Sequence, residues 1–148
     1  MIRLSTKGRY GTRAMLELAL SQDNRPVLLR DIAGRQGIST KYLEQIMPSL
    51  KSAGLVNSNR GASGGYFLAR PPGKINMREI VEALEGPLKL VDCVGNARLC
   101  PEAGICAARE LWQEAGSSIS GILESRTLAD LAEKQRKKSK SRPPMYSI

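Results

Sequence analysis

Residues 29–70 read LRDIAGRQGISTKYLEQIMPSLKSAGLVNSNRGASGGYFLAR, and the order of signals in this stretch decides the fold. Leu29–Gln36 predicts a short helix that turns Ile32 and Ala33 inward, with Gly37 where a helix C-cap would sit. Ser39 or Thr40 caps the next helix, whose Leu43, Ile46, Met47 and Leu50 follow i, i+3, i+4, i+7 spacing. Pro48 falls inside that helix and predicts a bend, since an interior proline costs ~3 kcal/mol. After Ala53-Gly54 the pattern changes. Two strand-like runs, Leu55–Asn59 and Tyr66–Ala69, flank a glycine-rich turn from Arg60 to Gly65, which is the signature of a β-hairpin.

Working outward, Ser5 or Thr6 caps a helix over 6–21 with Tyr10, Ala14 and Leu18 on one stripe and Met15 beside it. Gly8 and Gly11 weaken that helix slightly. Ser21–Pro26 is a polar break. Downstream, Pro71-Pro72 punctuates the hairpin, and Asn76 with Glu79 forms a capping-box start for Met77–Glu85, which Gly86-Pro87 stops. Residues 88–105 have no clean period. A longer helix follows from Cys106 to about Ser125, with Leu111, Ala115, Ile119 and Ile122 on one face. That stripe suits a dimer interface, and an intrachain core would give the same pattern. Thr127 with Asp130 opens a last short helix, and a low-complexity tail begins at Lys134.

The expected fold is therefore mainly α with a small β-hairpin wing. A winged helix-turn-helix domain (1–75) precedes a linker helix, a cysteine loop and a long C-terminal dimerisation helix (76–133), then a basic flexible tail (134–148).

The 148 residues include no histidine, which removes Ser-His-Asp triads, Cys-His pairs, His-ligated zinc and histidine acid/base chemistry. One Trp and one Phe leave no evident platform for stacking single-stranded bases. No CxxC pair and no nucleotide-binding glycine pattern is present, so an enzyme is not expected. The amino-terminal MIRLSTKGRYG is no signal peptide and no run suits a membrane span, which predicts a cytoplasmic protein with no membrane partner.

The net charge of +9 is unevenly placed. Residues 1–70 hold 11 basic and 4 acidic side chains, residues 71–133 hold 6 and 10, and residues 134–148 hold 6 and none. The basic first block is suited to a polyanion. Within it, the polar face of the 40s helix, with Lys41, Tyr42 and Gln45, is free to enter a major groove, and Arg60 at the wing tip can reach a minor groove. Helix-turn-helix units also serve as pure scaffold, but placement in the basic block favours duplex DNA. The tail's charge run is equally consistent with a solvated surface.

Cys93, Cys100 and Cys106 are the only cysteines and fall within 14 residues. Clustered thiols suit soft metals: an iron–sulfur cluster, zinc or copper. The spacing is unlike the short CxxC pairs of zinc ribbons. Buried small hydrophobes or a disulfide redox switch are the alternatives.

The strings RLSTKGRYGTRAM, ISTKYLEQIMPSLKSAGLV and NRGASGGYFLARPPGKI resemble the IscR-type winged-helix regulators, the iron–sulfur cluster regulators with NsrR-type and CymR-type relatives. The resemblance spans about 1–132. It implies a homodimer that reads a pseudo-palindromic operator in double-stranded DNA, usually as a repressor. By position it implies that Lys41, Glu44 and Gln45 meet base edges and that Arg60 enters the minor groove. Lys7, Arg9, Ser39, Thr40 and Tyr42 would touch phosphates. A carboxylate such as Glu44 can accept from cytosine N4 and repels other acceptors, which suits a filter between operator classes.

The resemblance also implies a labile iron–sulfur cluster on Cys93, Cys100 and Cys106 whose state sets operator affinity. Two departures bear on it. The first cysteine gap is one residue longer than in the family pattern. Where a histidine ligand would stand three residues past the last cysteine there is Arg109, and where another subset has an acidic ligand there is Arg9. The fourth ligand is thus unassigned, with Asp92, Glu102 and Glu110 as nearby carboxylates. A 4Fe–4S form, which can leave one iron to an outside ligand, is preferred over 2Fe–2S. A second reading is a cluster-free CymR-like regulator governed by a protein partner or by cysteine oxidation, and the string Arg109-Glu110-Leu111-Trp112 resembles that branch.

Overall fold

A computed structural model describes residues 3–62 and 64–141. Among the described residues seven α-helices and one hairpin follow in order: α1 (Thr6–Leu20), α2 (Leu29–Gln36), α3 (Thr40–Ser52), β1 (Val56–Asn59), β2 (Gly65–Leu68), α4 (Met77–Glu85), α5 (Asp92–Gly95), α6 (Ala107–Glu124) and α7 (Leu128–Lys140). The mainly α architecture with a hairpin wing is as expected.

Local chemistry sets the helix ends. The Ser5 hydroxyl accepts the Gly8 N–H at the start of α1, and the Ser39 hydroxyl accepts the Tyr42 N–H at the start of α3. Reciprocal capping boxes open α4 (Asn76 with Glu79) and α7 (Thr127 with Asp130). The N–H and hydroxyl of Thr127 hold the Asp130 carboxyl below its ordinary pKa. Between α2 and α3, Gly37 turns the chain with φ 63°, a left-handed conformation that a side chain would oppose.

The wing is an antiparallel pair with Val56 opposite Leu68 and Asn59 opposite Gly65. Its base is held by two contacts the sequence did not announce. Val27 and Tyr66 exchange both backbone hydrogen bonds at 2.8 Å, and the Asn24 amide pairs with the N–H and C=O of Leu68 at 3.0 and 2.9 Å.

Helix α3 runs through Pro48, as expected, and the proline lies on the exposed face, away from the buried ridge of Leu43, Ile46, Met47 and Leu50. One expectation is corrected. The tail does not begin at 134, because α7 continues to Lys140. Lys, Gln, Arg and Glu are good helix formers, and the helix is anchored by buried Leu128 and Ala132 and by Arg136, which donates to the Ala19 carbonyl at 3.2 Å. Positions 142–148 of the expected tail lie outside the described residues. The core is continuous across position 75/76. Met15, Leu18, Ile32, Leu43, Met47, Ile75, Ile80 and Leu128 belong to one buried core.

That core needs α1 and α4 to come very close. A Cβ on Gly11 would lie 2.4 Å from Leu84 Cδ1 and 3.2 Å from Ile46 Cγ2, so the two glycines read as helix weaknesses in sequence are notches for α4. Glycine to alanine inside a helix ordinarily gains up to ~1 kcal/mol. Here overpacking of ~1–3 kcal/mol opposes it, and Leu84 and Ile46 are too buried to yield. Gly11→Ala should therefore lower stability in urea unfolding; a stabilised variant would contradict the notch.

Candidate nucleic-acid interface and cysteine segment

The start of α3 gathers most of the residues singled out for DNA. Ser39, Thr40, Lys41, Glu44 and Gln45 are exposed, and Tyr42 is half-buried. Tyr42 meets Tyr10 of α1 edge to face, with ring centroids 5.8 Å apart. The guanidinium carbons of Arg9 and Arg13 lie 5.7 and 5.6 Å from the Tyr10 ring centre. Two cationic side chains thus stand beside the amino-terminal end of α3. Lys7 is placed differently: half-buried, it donates to Ser49 Oγ at 3.0 Å in the last turns of α3. Two of its ammonium protons remain available for another acceptor.

Arg60 is exposed at the end of β1, where the wing turn begins, and Lys51 ties α3 to β1 by donating to Ser58 Oγ at 2.8 Å. Arg9, Lys41 and Arg60 form no ion pair among the described residues. Unneutralised cations around a polar helix face are what a phosphate backbone requires.

Arg13 is the residue sequence reasoning missed. Its Nη2 donates to the Gln36 carbonyl at 2.8 Å and its Nε to Gln36 Oε1 at 2.7 Å. A cation here satisfies the exposed end of α2 and fixes the turn leading into α3. The i, i+3 spacing from Tyr10 was visible in sequence, whereas the partner, 23 residues away, was not.

Cys93, Cys100 and Cys106 are free, half-buried thiols. Cys93 lies in α5, Cys100 follows a 3-10 turn, and Cys106 is the N-cap of α6, its sulfur accepting the Arg109 N–H at 3.4 Å. The Arg109 side chain reaches back, Nε donating to the Cys93 carbonyl at 3.0 Å. Arg109 is therefore a clasp closing the segment. The donor set is chemically suited to a soft metal centre. As folded, no three Cys, Asp or Glu side chains among the described residues are gathered closely enough to hold a metal ion. Cluster binding would require the segment to draw its sulfurs together.

Comparison with known proteins agrees with this layout. The profile of the Rrf2 family, described as an iron-dependent transcriptional regulator, matches residues 4–134. The chain belongs to the Rrf2 family. It is 42% identical over 130 residues to protein rrf2 of Nitratidesulfovibrio vulgaris, covering 88% of this chain and 87% of that protein. It is 39% identical over 134 residues to the HTH-type transcriptional regulator IscR of an Enterobacter species, covering 90% and 82%. Among solved structures, CymR, the global cysteine regulator of B. subtilis, superposes with a TM-score of 0.77 at 40% identity, covering 90% of this chain and 98% of that one. IscR of T. potens gives 0.77 at 39%, covering 96% and 94%.

As a member of the Rrf2 family the protein is a DNA-binding transcriptional regulator and not an enzyme, and its winged-helix fold is that of these relatives. No helix among the described residues is long and apolar enough to cross a membrane.

Leu111, Ile119 and Ile122 are 54%, 37% and 62% exposed, so they do not serve the chain's own core. Arg13→Ala should loosen the α2–α3 turn and cost about 0.5–1.5 kcal/mol in unfolding, together with weaker binding to duplex DNA; unchanged values for both would remove its role.

Proposed function

We propose that this Rrf2-family regulator acts as a cytoplasmic homodimer that binds a pseudo-palindromic operator, usually repressing transcription, and that its affinity follows the state of a labile iron–sulfur cluster on Cys93, Cys100 and Cys106. The observation that carries the DNA reading is the exposed set Ser39, Thr40, Lys41, Glu44 and Gln45 at the start of α3, flanked by Arg9 and Arg60, which form no ion pair among the described residues. In this reading Lys41, Glu44 and Gln45 take the base edges, and Arg60 the minor groove. Lys7, Arg9, Ser39, Thr40 and Tyr42 take phosphates. Residues 1–75 read DNA, while 76–133 sense and dimerise.

Support for the homodimer comes from the exposed Leu111, Ile119 and Ile122 on α6, with exposed Trp112 beside them. A face of this kind, repeated by a two-fold axis, brings two α3 helices to one side of a duplex.

Support for the cluster comes from three soft donors in one segment and from the family's description as iron-dependent. A bound cluster would supply a redox-active and removable centre. Arg109 cannot ligate, and its guanidinium is engaged with Cys93, which is why a 4Fe–4S form with one outside ligand is preferred over 2Fe–2S. The second reading, a cluster-free regulator governed by a protein partner or by cysteine oxidation, is favoured by the likeness to CymR.

Replacing Arg60 with Ala should weaken operator binding at physiological salt by roughly 5-fold or more, measured by fluorescence anisotropy; equal affinity would remove its assigned role. Anaerobic purification with iron and sulfide counts separates the two readings. A coloured wild type whose Cys100→Ala variant loses iron supports the cluster. A colourless wild type that binds promoter DNA supports the second reading.

A further inference from the structure

Two helices border the cysteine segment, α4 before it and α6 after it, and both are tied into the rest of the molecule by carboxylates. Arg78 on α4 bonds Glu124 on α6 at 3.1 Å and Glu82 within α4 at 3.0 Å. The other tie lies at the last residue of α4. Glu85 Oε1 accepts the backbone N–H of Ser5 at 2.9 Å and also the Ser5 hydroxyl. This contact joins residues 80 positions apart.

The surroundings are shaped to this contact. A Cβ on Gly8 would lie 2.1 Å from Glu85 Oε1, so the α1 backbone leaves the carboxylate its place. The hydroxyl that meets Glu85 is the one that accepts the Gly8 N–H, so the carboxylate and the N-cap of α1 form a single unit. A negative charge at a helix amino terminus is favourable on dipole grounds as well.

The link has a direction. Immediately after Glu85 come Gly86, with φ 85°, and Pro87, and from there the chain runs into the cysteine segment. On the other side of the contact, Lys7 of α1 reaches Ser49 of α3, and Arg9 lies over Tyr10, which packs on Tyr42. Leu84, one residue earlier, fills the Gly11 notch against Ile46 of α3. The carboxy-terminal turn of α4 thus touches α1 and α3 together, through one polar and one apolar contact.

We propose that Glu85 is the positioning residue that couples the cysteine segment to the DNA-reading helices, by holding the amino terminus of α1 to the end of α4. A change in the segment that moves Gly86-Pro87 moves Glu85, and Ser5 follows, carrying Lys7 and Arg9 with it. This rests on the reading above, in which the cysteine segment governs DNA binding.

The test compares operator affinity of the full chain with free thiols and with thiols blocked by N-ethylmaleimide. The quantity read is the ratio of the two dissociation constants. In wild type the ratio should depart from one by 5-fold or more, the usual size of allosteric coupling. In Glu85→Ala it should fall about fivefold, the worth of one typical hydrogen bond, while free-thiol affinity stays within about threefold of wild type. Glu85→Gln keeps an acceptor oxygen and should restore most of the response. A purely structural role would lower affinity in both states and leave the ratio intact. An unaltered ratio in Glu85→Ala overturns the proposal. If that variant fails to fold, Ser5→Ala removes the hydroxyl half of the same link and must reduce the ratio likewise. No response in wild type overturns the regulatory reading itself, and the coupling with it.

Discussion

Helix α1 must be buried on several sides at once, and most of the fold follows from that. Ala14 and Met15 are wholly inaccessible, and α1 receives α2, α3, α4, α7 and the wing around it. A helix enclosed in this way cannot present large side chains everywhere. Small residues at Gly8, Gly11 and Ala14 let neighbours approach, and a few long ones fill what remains. Close approach at those positions, at interior packing densities, fixes α4 on α1. Helix α3 is set on the same support, with Ile46 and Leu84 of α4 both lying over Gly11. Helices α1, α3 and α4 therefore share one core.

Around that core the charges are sorted by task. Among the described residues, the exposed cations beside α3 and on the wing have no acidic partners, which suits a polyanion-binding face. The acidic groups of the second half are largely consumed internally. Glu79 pairs with Arg70, Glu82 and Glu124 with Arg78, and Glu85 with Ser5. Arginine shows how one residue type divides between the roles. Arg9 and Arg60 form no ion pair among the described residues, whereas Arg13 and Arg109 each close a piece of backbone by donating to a carbonyl. Arg109 is the more telling of these, because it fastens Cys93 to the start of α6.

Much of the site was legible before the fold was known. Caps at Ser39, Asn76 and Thr127, the i, i+3, i+4, i+7 ridge of α3 and the glycine-rich turn are local signals, set by backbone hydrogen bonding and burial of one face. So the helix-turn-helix, the wing and the residues from Ser39 to Gln45 could be placed from the string alone. The reach of α7 to Lys140 was not legible, since a lysine-rich run reads as a solvated tail until Leu128, Ala132 and Arg136 find α1. Arg13 escaped notice because its partner is a main-chain carbonyl at the end of another helix.

What the sequence by itself determined is whatever depends on neighbours within a turn or two: element type, element ends, the sign of charge in each block and the identity of the soft donors. Tertiary structure decided the rest, because those matters depend on residues far apart in the chain. It turned Gly8 and Gly11 from weak points of a helix into contact surfaces and made one core of two expected parts. It also left the α6 stripe outside that core, where a periodic pattern alone could not say which surface would cover it. The cysteines show the boundary most plainly. Their count and spacing were local facts, but whether three sulfurs converge depends on the path of the chain between them, and here Arg109 and the helix cap hold that path.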